Sequence, residues 1–211
     1  MDNEKAQDCL IPMGAGKAQK LGLFTQEIVP VSTKFLDSEG NETRITVTQD
    51  DGIRAGTTLE GLAKLRPAFK ENGSTTAGNA SQVSDGAAAV LVAGRSAAQQ
   101  LGLPVLRVLR ASAVVGVPPD VMGIGPVYAI PIALQLSFHR IQSKMTSGSL
   151  GGGGRALYCV EKLGIPLDKL NPSGGAIALW HPLGCTGARQ VVTLLNELKR
   201  RGRSSQYLHD K

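Results

Sequence analysis

The 211-residue chain has a globular composition, with 42% hydrophobic residues, enough to fill one generous core or two small ones. Lysine and arginine (23) outnumber aspartate and glutamate (17), and the resulting charge of +6 favours a polyanionic partner, whether nucleic acid, an acidic surface or a phosphorylated ligand. Aromatic residues are only 4% of the chain and do not interleave with basic ones, so we predict no nucleic-acid partner that stacks bases.

Cysteine usage and hydrophobicity bear on the compartment. Cys9, Cys159 and Cys185 are far apart and none of them pair at metal-ligand spacing, so the sequence predicts neither a disulfide framework nor a metal site. Residues 1–20 carry early charges, and no apolar run is long enough to cross a bilayer. We therefore predict a soluble, intracellular chain with no membrane span and no targeting signal, since the ending "HDK" is not a peroxisomal address.

The first twenty residues are irregular, because Pro12, Gly14 and Gly16 interrupt helix-forming residues. The stretch "GAGKA" is similar to a phosphate-binding loop. The first glycine of that motif and the Ser or Thr after its lysine are both missing. We predict an exposed turn at this point.

From Phe24 onward the pattern becomes typical of strands. The stretches "FTQEIVPVSTKFL" and "RITVTQD" are rich in β-branched residues, and the turn-rich "DSEGNE" lies between them. They predict two strands joined by a loop. In "TTLEGLAKLRPAF", apolar residues at helical spacing predict a short helix that ends near Pro67.

Strands and helices then alternate along the chain. The apolar run "DGAAAVLVAG" (85–94) predicts a strand buried on both faces, and "VLRVLRASAVVG" (105–116) predicts another. Helices are predicted after Ser96, which can cap "AAQQLGL", after Pro126, and in "RALYCVEKLG" and "ARQVVTLLNELKRRG". The alternation predicts an α/β layered structure, interrupted over residues 137–154 by a Ser- and Gly-rich stretch of linker composition.

One histidine, His181, lies between two glycine-rich turns in "NPSGGAIALWHPLGCTGARQ". Gly174 and Gly175 permit backbone conformations closed to other residues, and Pro182 restricts His181 to an extended geometry. A helix that begins near Thr186 places its positive end close to the imidazole and favours a neutral ring that can act as a base. A histidine packed in a corner with both nitrogens satisfied is the alternative, and the spacing alone leaves both open.

Five stretches of the chain follow one another in an order known from a single enzyme family. They are "EIVPV", "ITVTQDDGIRAGTTLEGLAKLRPAFKENGSTTAGNASQVSDGAAAVL", "GVPPDVMGIGP", "YCVEKL" and the histidine stretch through "KRRG". On these stretches the chain resembles the thiolase family, and within it the peroxisomal 3-ketoacyl-CoA thiolases. The resemblance covers most of residues 22–136 and 156–202.

The resemblance implies a thiolase-like layered αβαβα fold that is incomplete, with part of the loop domain and the C-terminal half. It implies part of the loop domain in residues 1–70 and the end of the N-terminal half in 71–103. The C-terminal domain follows in 104–211 and is altered at 137–155 and 203–211.

The implied chemistry is that of an acetyl-CoA C-acyltransferase of fatty-acid β-oxidation. In that family a cysteine activated by the histidine attacks the keto carbon, acetyl-CoA leaves, and a second CoA thiol takes up the acyl group. His181 matches the catalytic histidine, Arg54 in "DGIR" a position that contacts the CoA nucleotide, and Ser81 in "GNAS" a serine at the pantetheine arm. A solvated loop arginine and a turn serine are the alternatives. No metal or prosthetic group is implied, because coenzyme A is a substrate.

The sequence also departs from the family pattern. The nucleophilic cysteine belongs to a region for which we find no counterpart, and the Ser/Gly-rich stretch stands where the oxyanion-forming Asn-Glu-Ala-Phe motif is expected. The closing Cys-x-Gly segment is replaced by "RSSQYLHDK", and Trp180 stands where the family has glycine. We therefore predict that the isolated chain is not an active thiolase and that His181 is its only retained catalytic residue.

Three functions stay open at this point. The first is a thiolase-family acyltransferase, inactive as the isolated chain, whose peroxisomal location rests on the resemblance alone. The second is a non-catalytic subunit that binds an intact thiolase, and a dimer with itself is open too, because half of the fold leaves an apolar edge uncovered. The third is a nucleic-acid-binding module built on "KRRGR", for which the basic end of a helix is the simpler interpretation.

Overall fold

The computed structural model describes residues 14–137, 154–166, 170–171 and 173–201, in which helices predominate and one small sheet occurs. In chain order the described elements are α1 (helical residues 14–20), β1 (Val31–Leu36), β2 (Glu42–Val47), α2 (Leu59–Ala63), α3 (Arg95–Gln100), a 3-10 helix (Pro119–Ile124), α4 (Gly125–Leu136), α5 (Gly154–Leu163), α6 (Ala176–Leu179) and α7 (Thr186–Arg200). Helices and strands both occur, as an α/β chain requires.

The two stretches after Phe24 form the predicted hairpin. β1 and β2 pair antiparallel, with Val31 opposite Val47 at the open end. At the turn the carboxylate of Asp37 accepts hydrogen bonds from the backbone N–H and the side-chain amide of Asn41, at 2.8 and 3.1 Å. These bonds, the backbone one foremost, lower the pKa of Asp37. The turn residues thus close the loop that the sequence predicted.

The main core forms between α1 and α6. Its buried members are Ala15, Ala18, Phe24, Ala178 and Leu179, with Leu23, Ile28 and Ile53 packed against them. The close approach depends on Gly174, which has a φ of +92° and at which a Cβ would lie 2.5 Å from the Cβ of Ala15. A glycine is therefore required here for both its backbone conformation and its lack of a side chain.

The predicted exposed turn at "GAGKA" is wrong. Residues 14–18 are helical, and Ala15 is fully buried. Gly16 faces the loop after β2, where a Cβ on it would lie 2.8 Å from the Cβ of Ala55. The small residues serve close helix packing, which has the same composition as a turn and so cannot be told from one by pattern.

A second, smaller core joins α4 and α5. Its buried members are Val160, Leu163 and Ile165, with Ile130 and Leu170 packed against them. α4 has Pro126 in its first turn, as predicted, and continues through Pro131. α5 covers "RALYCVEKL", so both helix predictions are confirmed.

The two short helices differ in how they begin. α2 is capped by Thr58, whose hydroxyl accepts a hydrogen bond from the N–H of Gly61 at 3.1 Å, and it ends ahead of Pro67 as predicted. α3 begins at Arg95 with Gly94 as its N-cap, so Ser96 lies inside the helix and the predicted serine cap is wrong. The carbonyl of Gly94 already accepts the first helical hydrogen bond, which sets the helix start ahead of the serine.

The two predicted buried strands are wrong as strands. Residues 85–94 and 105–116, called the unpaired segments below, lack strand pairing with any described residue. Four of their apolar side chains are largely exposed, by 82% at Leu91, 79% at Val92, 82% at Leu109 and 99% at Val114, whereas Val90, Val108 and Val115 are half-buried. A β-strand needs a neighbouring strand to take up its backbone hydrogen bonds, and the described residues supply none.

Several predictions fall outside the described residues. The Ser/Gly-rich stretch lies there except for its first and last residues, as do residues 203–211 and Cys9. The division at residues 70 and 103 stays a prediction. In the described ranges, no helix is long and apolar enough to cross a membrane.

Candidate active site at the histidine turn

The histidine turn, residues 173–187, includes α6, which packs in the main core. All four residues of α6 are buried. The helix stops at Trp180, which has a φ of +69° and a ψ of 168°. This backbone region is normally reserved for glycine, so a side chain here is strained. The chain therefore turns sharply one residue ahead of His181.

The backbone of His181 is held from both sides. Its N–H donates to the carbonyl of Gln82 at 2.9 Å, and the residue pairs with Val83 in an isolated parallel bridge. Its carbonyl accepts a hydrogen bond from the N–H of Leu183 at 3.0 Å, and the buried Pro182 follows directly. The defined bend that the flanking residues predicted is present.

The imidazole of His181 is half-buried beside the start of α7. Its Nδ1 lies 2.7 Å from the Oγ1 of Thr186, the first residue of that helix, so the predicted helix start is confirmed. A hydroxyl donates or accepts, and the contact therefore suits either ring tautomer. Among the residues that the structure describes, none hydrogen-bonds Nε2. Thus Nδ1 is held by Thr186, while Nε2 has no partner among the described residues.

The indole of Trp180 packs against the loop that carries Arg54. Its Nε1 occupies the place where a Cβ on Gly52 would lie. This Nε1 is buried and has no hydrogen-bond partner among the described residues. The carbonyl of Trp180 accepts a hydrogen bond from Arg189 at 3.3 Å. As the sequence indicated, a large side chain enters a place of close backbone approach, with a strained backbone and an unsatisfied donor.

Arg54 and Ser81 lie on two different segments, each of which contacts the turn through a neighbouring residue. Arg54 is exposed and stands two residues after Gly52. Ser81 is half-buried and directly precedes Gln82, the residue that holds the N–H of His181. The structure thus brings both segments to the histidine turn, while their contacts with CoA stay predictions.

A cavity of about 400 Å³ opens beside the Arg54 loop. It is lined by Gly16, Lys17, Lys20, Leu21 and Ala55. Arg54 does not itself line the cavity, but its neighbour Ala55 does. The two lysines supply positive charge near the Arg54 loop, which suits an anionic ligand.

A charged cluster links α7 to the chain ahead of the hairpin. Glu27 accepts a hydrogen bond from the hydroxyl of Thr193 at 2.9 Å. Burial raises the pKa of Glu27, although that hydrogen bond and the charges of Arg200 and Arg189 oppose the effect. Burial also raises the pKa of Asp50, against the charge of Arg189. Two half-buried carboxylates thus share the field of Arg189, whose own pKa burial lowers.

The basic end of α7 is engaged within the fold. The carboxylate of Glu197 accepts hydrogen bonds from Arg200 at 2.7 Å and from Arg201 at 2.5 Å. Burial disfavours the charge on Glu197, but the two guanidinium groups outweigh it and lower its pKa. Arg200 also donates to the carbonyl of Leu23 at 3.0 Å. These contacts favour the helix-end interpretation of "KRRGR".

The two described cysteines lie in different environments. Cys159 is 1% exposed, its thiol donates to the carbonyl of Gly123 at 3.6 Å, and burial raises its pKa. A thiolate is therefore disfavoured at this position. Cys185 is half-buried at the N-cap of α7. Within the described ranges, no group of three or more His, Cys, Asp or Glu side chains could hold a metal ion.

Sequence reasoning missed two features of this site. The contact between His181 and Thr186 had a signal, because a hydroxyl residue follows the histidine by five positions where a helix was expected to start. The charged cluster had none, since Glu27 and Thr193 are 166 positions apart. A single sequence does not show which distant charges meet.

Two family models match the chain. One, described as "Thiolase, N-terminal domain", matches residues 2–96, and the other, described as "Thiolase, C-terminal domain", matches residues 103–207. A half-buried histidine with one ring nitrogen that no described residue hydrogen-bonds, between glycines and a helix start, defines a candidate acid–base site in an α/β chain. The chain belongs to the thiolase family.

Individual relatives agree with this assignment. The chain is 60% identical to 3-ketoacyl-CoA thiolase B, peroxisomal, of Rattus norvegicus, and 57% identical to 3-ketoacyl-CoA thiolase, peroxisomal, of Homo sapiens. Each alignment covers 96% of this chain and 54% of the relative. The chain thus spans about half the length of the curated relatives that it matches.

Solved structures confirm the thiolase-like α/β fold. The dimeric peroxisomal thiolase of Saccharomyces cerevisiae matches with a TM-score of 0.82 and 48% identity, over 92% of this chain and 48% of that one. The human mitochondrial 3-ketoacyl-CoA thiolase in complex with CoA matches with a TM-score of 0.83 and 34% identity, over 94% of this chain and 48% of that one.

Proposed function

We propose that this chain is part of a thiolase-type acyltransferase, that it binds coenzyme A thioesters at the histidine turn, and that it acts in the peroxisome. The observation that carries the proposal is the meeting of three segments at one turn: His181, the segment of Ser81 and the loop of Arg54. Relatives at 57% and 60% identity are named peroxisomal 3-ketoacyl-CoA thiolases, which supports the substrate and the location. The reaction is cleavage of a 3-ketoacyl-CoA by CoA to acyl-CoA and acetyl-CoA.

In this proposal His181 is the acid–base residue. Its Nδ1 is held by Thr186 beside the start of α7, and in this proposal Nε2 takes the proton of a thiol and later returns it. Removing that proton turns the thiol into the thiolate that attacks the keto carbon.

The same chain does not turn over substrate on its own. The buried Cys159, with its raised pKa, is unsuited to form the nucleophilic thiolate, and Cys185 sits in a sequence context different from that of the family's nucleophile. In this proposal the sulfur that His181 activates comes from outside the described residues, and the thiol of CoA is one such source.

The cations near the Arg54 loop are suited to hold coenzyme A. The guanidinium of Arg54 is exposed, and Lys17 and Lys20 line the neighbouring cavity. Phosphate groups pair well with such cations. Ser81, half-buried next to the residue that holds His181, is placed to meet the arm that carries the thioester.

Fluorescence of the single tryptophan tests the binding site. Trp180 is the only tryptophan of the chain and adjoins both His181 and Gly52. We expect CoA to change its emission in a saturable way, and Arg54→Ala to weaken binding about tenfold, or about 1.4 kcal/mol. Arg44→Ala, which removes an exposed arginine of the hairpin, is the matched control. No change with CoA, or equal weakening by both variants, contradicts the proposed site.

A thiolysis assay tests whether the chain is active alone. We expect acetoacetyl-CoA to be stable with the purified chain and CoA, at the same rate as with the His181→Ala variant. CoA-dependent loss of the ketoacyl absorbance above that control would show that the chain is a complete catalyst.

A second candidate function is that of a non-catalytic subunit that binds an intact thiolase. The observation that favours it is the exposure of apolar side chains in the unpaired segments, 82% at Leu91 and 99% at Val114. Apolar surface of this kind marks an interaction site.

Co-purification with an intact peroxisomal 3-ketoacyl-CoA thiolase tests this second function. We expect Leu91→Asp with Val114→Asp to abolish co-purification, because a charge opposes burial at the interface. Val29→Asp alters another exposed valine, 79% exposed, outside the unpaired segments, and should have no effect. Co-purification that survives the double change would refute the assignment of the surface.

A further inference from the structure

We propose that Thr186 positions the imidazole of His181 and, because its hydroxyl can both donate and accept, lets the ring adopt either neutral tautomer without moving. The proposal rests on the proposed function only in assuming that Nε2 takes up and releases protons. The hydrogen bond itself is a property of the fold, at 2.7 Å between Nδ1 and Oγ1.

The backbone of His181 is already fixed by hydrogen bonds, so only the rotation of its ring remains to be determined. The N–H and the carbonyl of the residue are both hydrogen-bonded, at 2.9 and 3.0 Å. Thr186 is itself held, because its N–H donates to the carbonyl of Pro182 at 3.1 Å and its branched side chain has few rotamers. A hydroxyl fixed in this way determines the rotation of the imidazole opposite it.

The hydroxyl allows two states of the ring in one geometry. When Nδ1 carries the proton, it donates to Oγ1, and the lone pair of Nε2 is free to accept a proton. When Thr186 donates to Nδ1, Nε2 carries the proton and can donate it to a developing negative charge. Protonation of Nε2 gives an imidazolium that keeps the bond from Nδ1 to Oγ1, and the return of that proton restores the first state.

A carboxylate partner would not allow this exchange. A carboxylate only accepts, so it holds the proton on Nδ1 and stabilises the imidazolium. No carboxylate in the described ranges hydrogen-bonds the His181 ring. A histidine whose neutral ring has to accept a proton at Nε2 in one step and to donate a hydrogen bond from Nε2 in another is therefore better served by the threonine.

Nitrogen resonances of the imidazole test the positioning role. In the 15N-labelled full chain, His181→Gln identifies the resonances of His181 among the three histidines. We expect Thr186→Ser to keep the wild-type ring shifts and Thr186→Val to move the Nδ1 resonance. Thr193→Val, which removes a hydroxyl of the same helix that bonds Glu27, is the matched control and should leave them in place. Unchanged shifts in Thr186→Val, or equal shifts in Thr193→Val, overturn the proposal.

The two-state property has its own test. Above the titration of the ring, we expect wild-type shifts averaged between the two tautomers. In Thr186→Asp we expect a single tautomer with the proton on Nδ1 and a ring that titrates at higher pH. A wild-type ring already fixed in the tautomer of Thr186→Asp overturns this part of the proposal. Comparing the serine and aspartate variants keeps the test decisive if the valine variant does not fold.

Failure of this proposal and failure of the proposed function are distinguishable. CoA binding is measured by the emission of Trp180, whereas the positioning role is measured on the ligand-free ring. A chain that does not bind CoA but shows the expected ring shifts would refute the site and keep the role of Thr186.

Discussion

The histidine turn and the unpaired segments differ in the burial of their apolar residues. Leu179 in α6 is 4% exposed, whereas Leu91 in the first unpaired segment is 82% exposed. The turn is covered by α1 and the loop after β2, which lie far away in sequence. The unpaired segments are also apolar, and the first of them meets the turn at Gly86, where a Cβ would lie 2.8 Å from the Cβ of Pro182, but no described strand pairs with either segment. Whether an apolar segment is buried therefore depends on which other segments of the chain pack against it, and not on its composition alone.

The largest effect is expected from a methyl group at the centre of the turn. Gly174→Ala should destabilise the chain by about 2 to 6 kcal/mol, because strain at a φ of +92° adds to overlap with Ala15. Gly40→Ala is the control, since Gly40 has a φ of +84° and a Cβ on it would have no atom within 4 Å. It should be destabilised by backbone strain alone, by about 1 to 3 kcal/mol. Urea unfolding measures both. Equal losses would show that α1 does not pack closely on the turn.

Matched leucine truncations compare the two regions directly. Leu179→Ala should cost about 2 to 5 kcal/mol, because it leaves a cavity in the main core. Leu91→Ala should change the stability of the chain by less than about 0.5 kcal/mol, because its side chain touches solvent. Chemical denaturation followed by circular dichroism gives both values. A Leu91 variant as destabilised as the Leu179 variant would mean that the unpaired segment is covered after all.

A double-mutant cycle probes the contact between Trp180 and Gly52. Gly52→Ala should be destabilising by about 1 to 3 kcal/mol, since the new methyl group meets the indole. In a Trp180→Gly background the same change should fall within about 0.5 kcal/mol. Thermal unfolding by circular dichroism measures the coupling, which we expect at about 1 to 3 kcal/mol. Additive changes would contradict the contact.

The smallest expected effect is the change in the stability of the chain with pH. Burial raises the folded-state pKa of Glu27 and of Asp50 above their usual values of 4.5 and 3.8. A raised pKa of a carboxyl group means that the folded chain binds the proton more tightly, so stability falls as the pH rises from the unfolded pKa through the folded one. Glu197 acts in the opposite sense, because its lowered pKa contributes stability that is lost as the pH falls.

The Glu27→Gln variant separates these contributions. Its amide oxygen can still accept from Thr193, but the side chain no longer ionises. We expect the variant to lose less stability than the wild type between about pH 4 and 7. A steeper loss in the variant would mean that the charge on Glu27 stabilises the fold.

Local pattern predicted the elements that depend on local causes. The hairpin of β1 and β2, the end of α2 ahead of Pro67 and the start of α7 at Thr186 could all be predicted, because turn residues, proline and periodicity act within a few positions. The same reasoning failed at "GAGKA" and in the unpaired segments. Whether a small or apolar run is buried, and against what, depends on residues elsewhere in the chain.

The candidate site followed the same rule. The bend at His181 could be predicted from Pro182 and the glycines around it, because these restrict the backbone directly. The sequence predicted that the side chain of Trp180 would be crowded, but not that its indole would pack against Gly52. The resemblance to a family named Arg54 and Ser81 as candidates, and the structure brings their segments to the turn without testing their roles.

Hydrogen exchange of the full chain tests most directly the claim that the histidine turn is a closed unit next to uncovered segments. The amides of Leu179 and His181 donate to Gly175 and Gln82 at 2.9 Å, and we expect them to exchange on the order of 100-fold or more slowly than those of Leu91 and Val92. Equal protection of the two regions, or faster exchange at His181, would contradict the account.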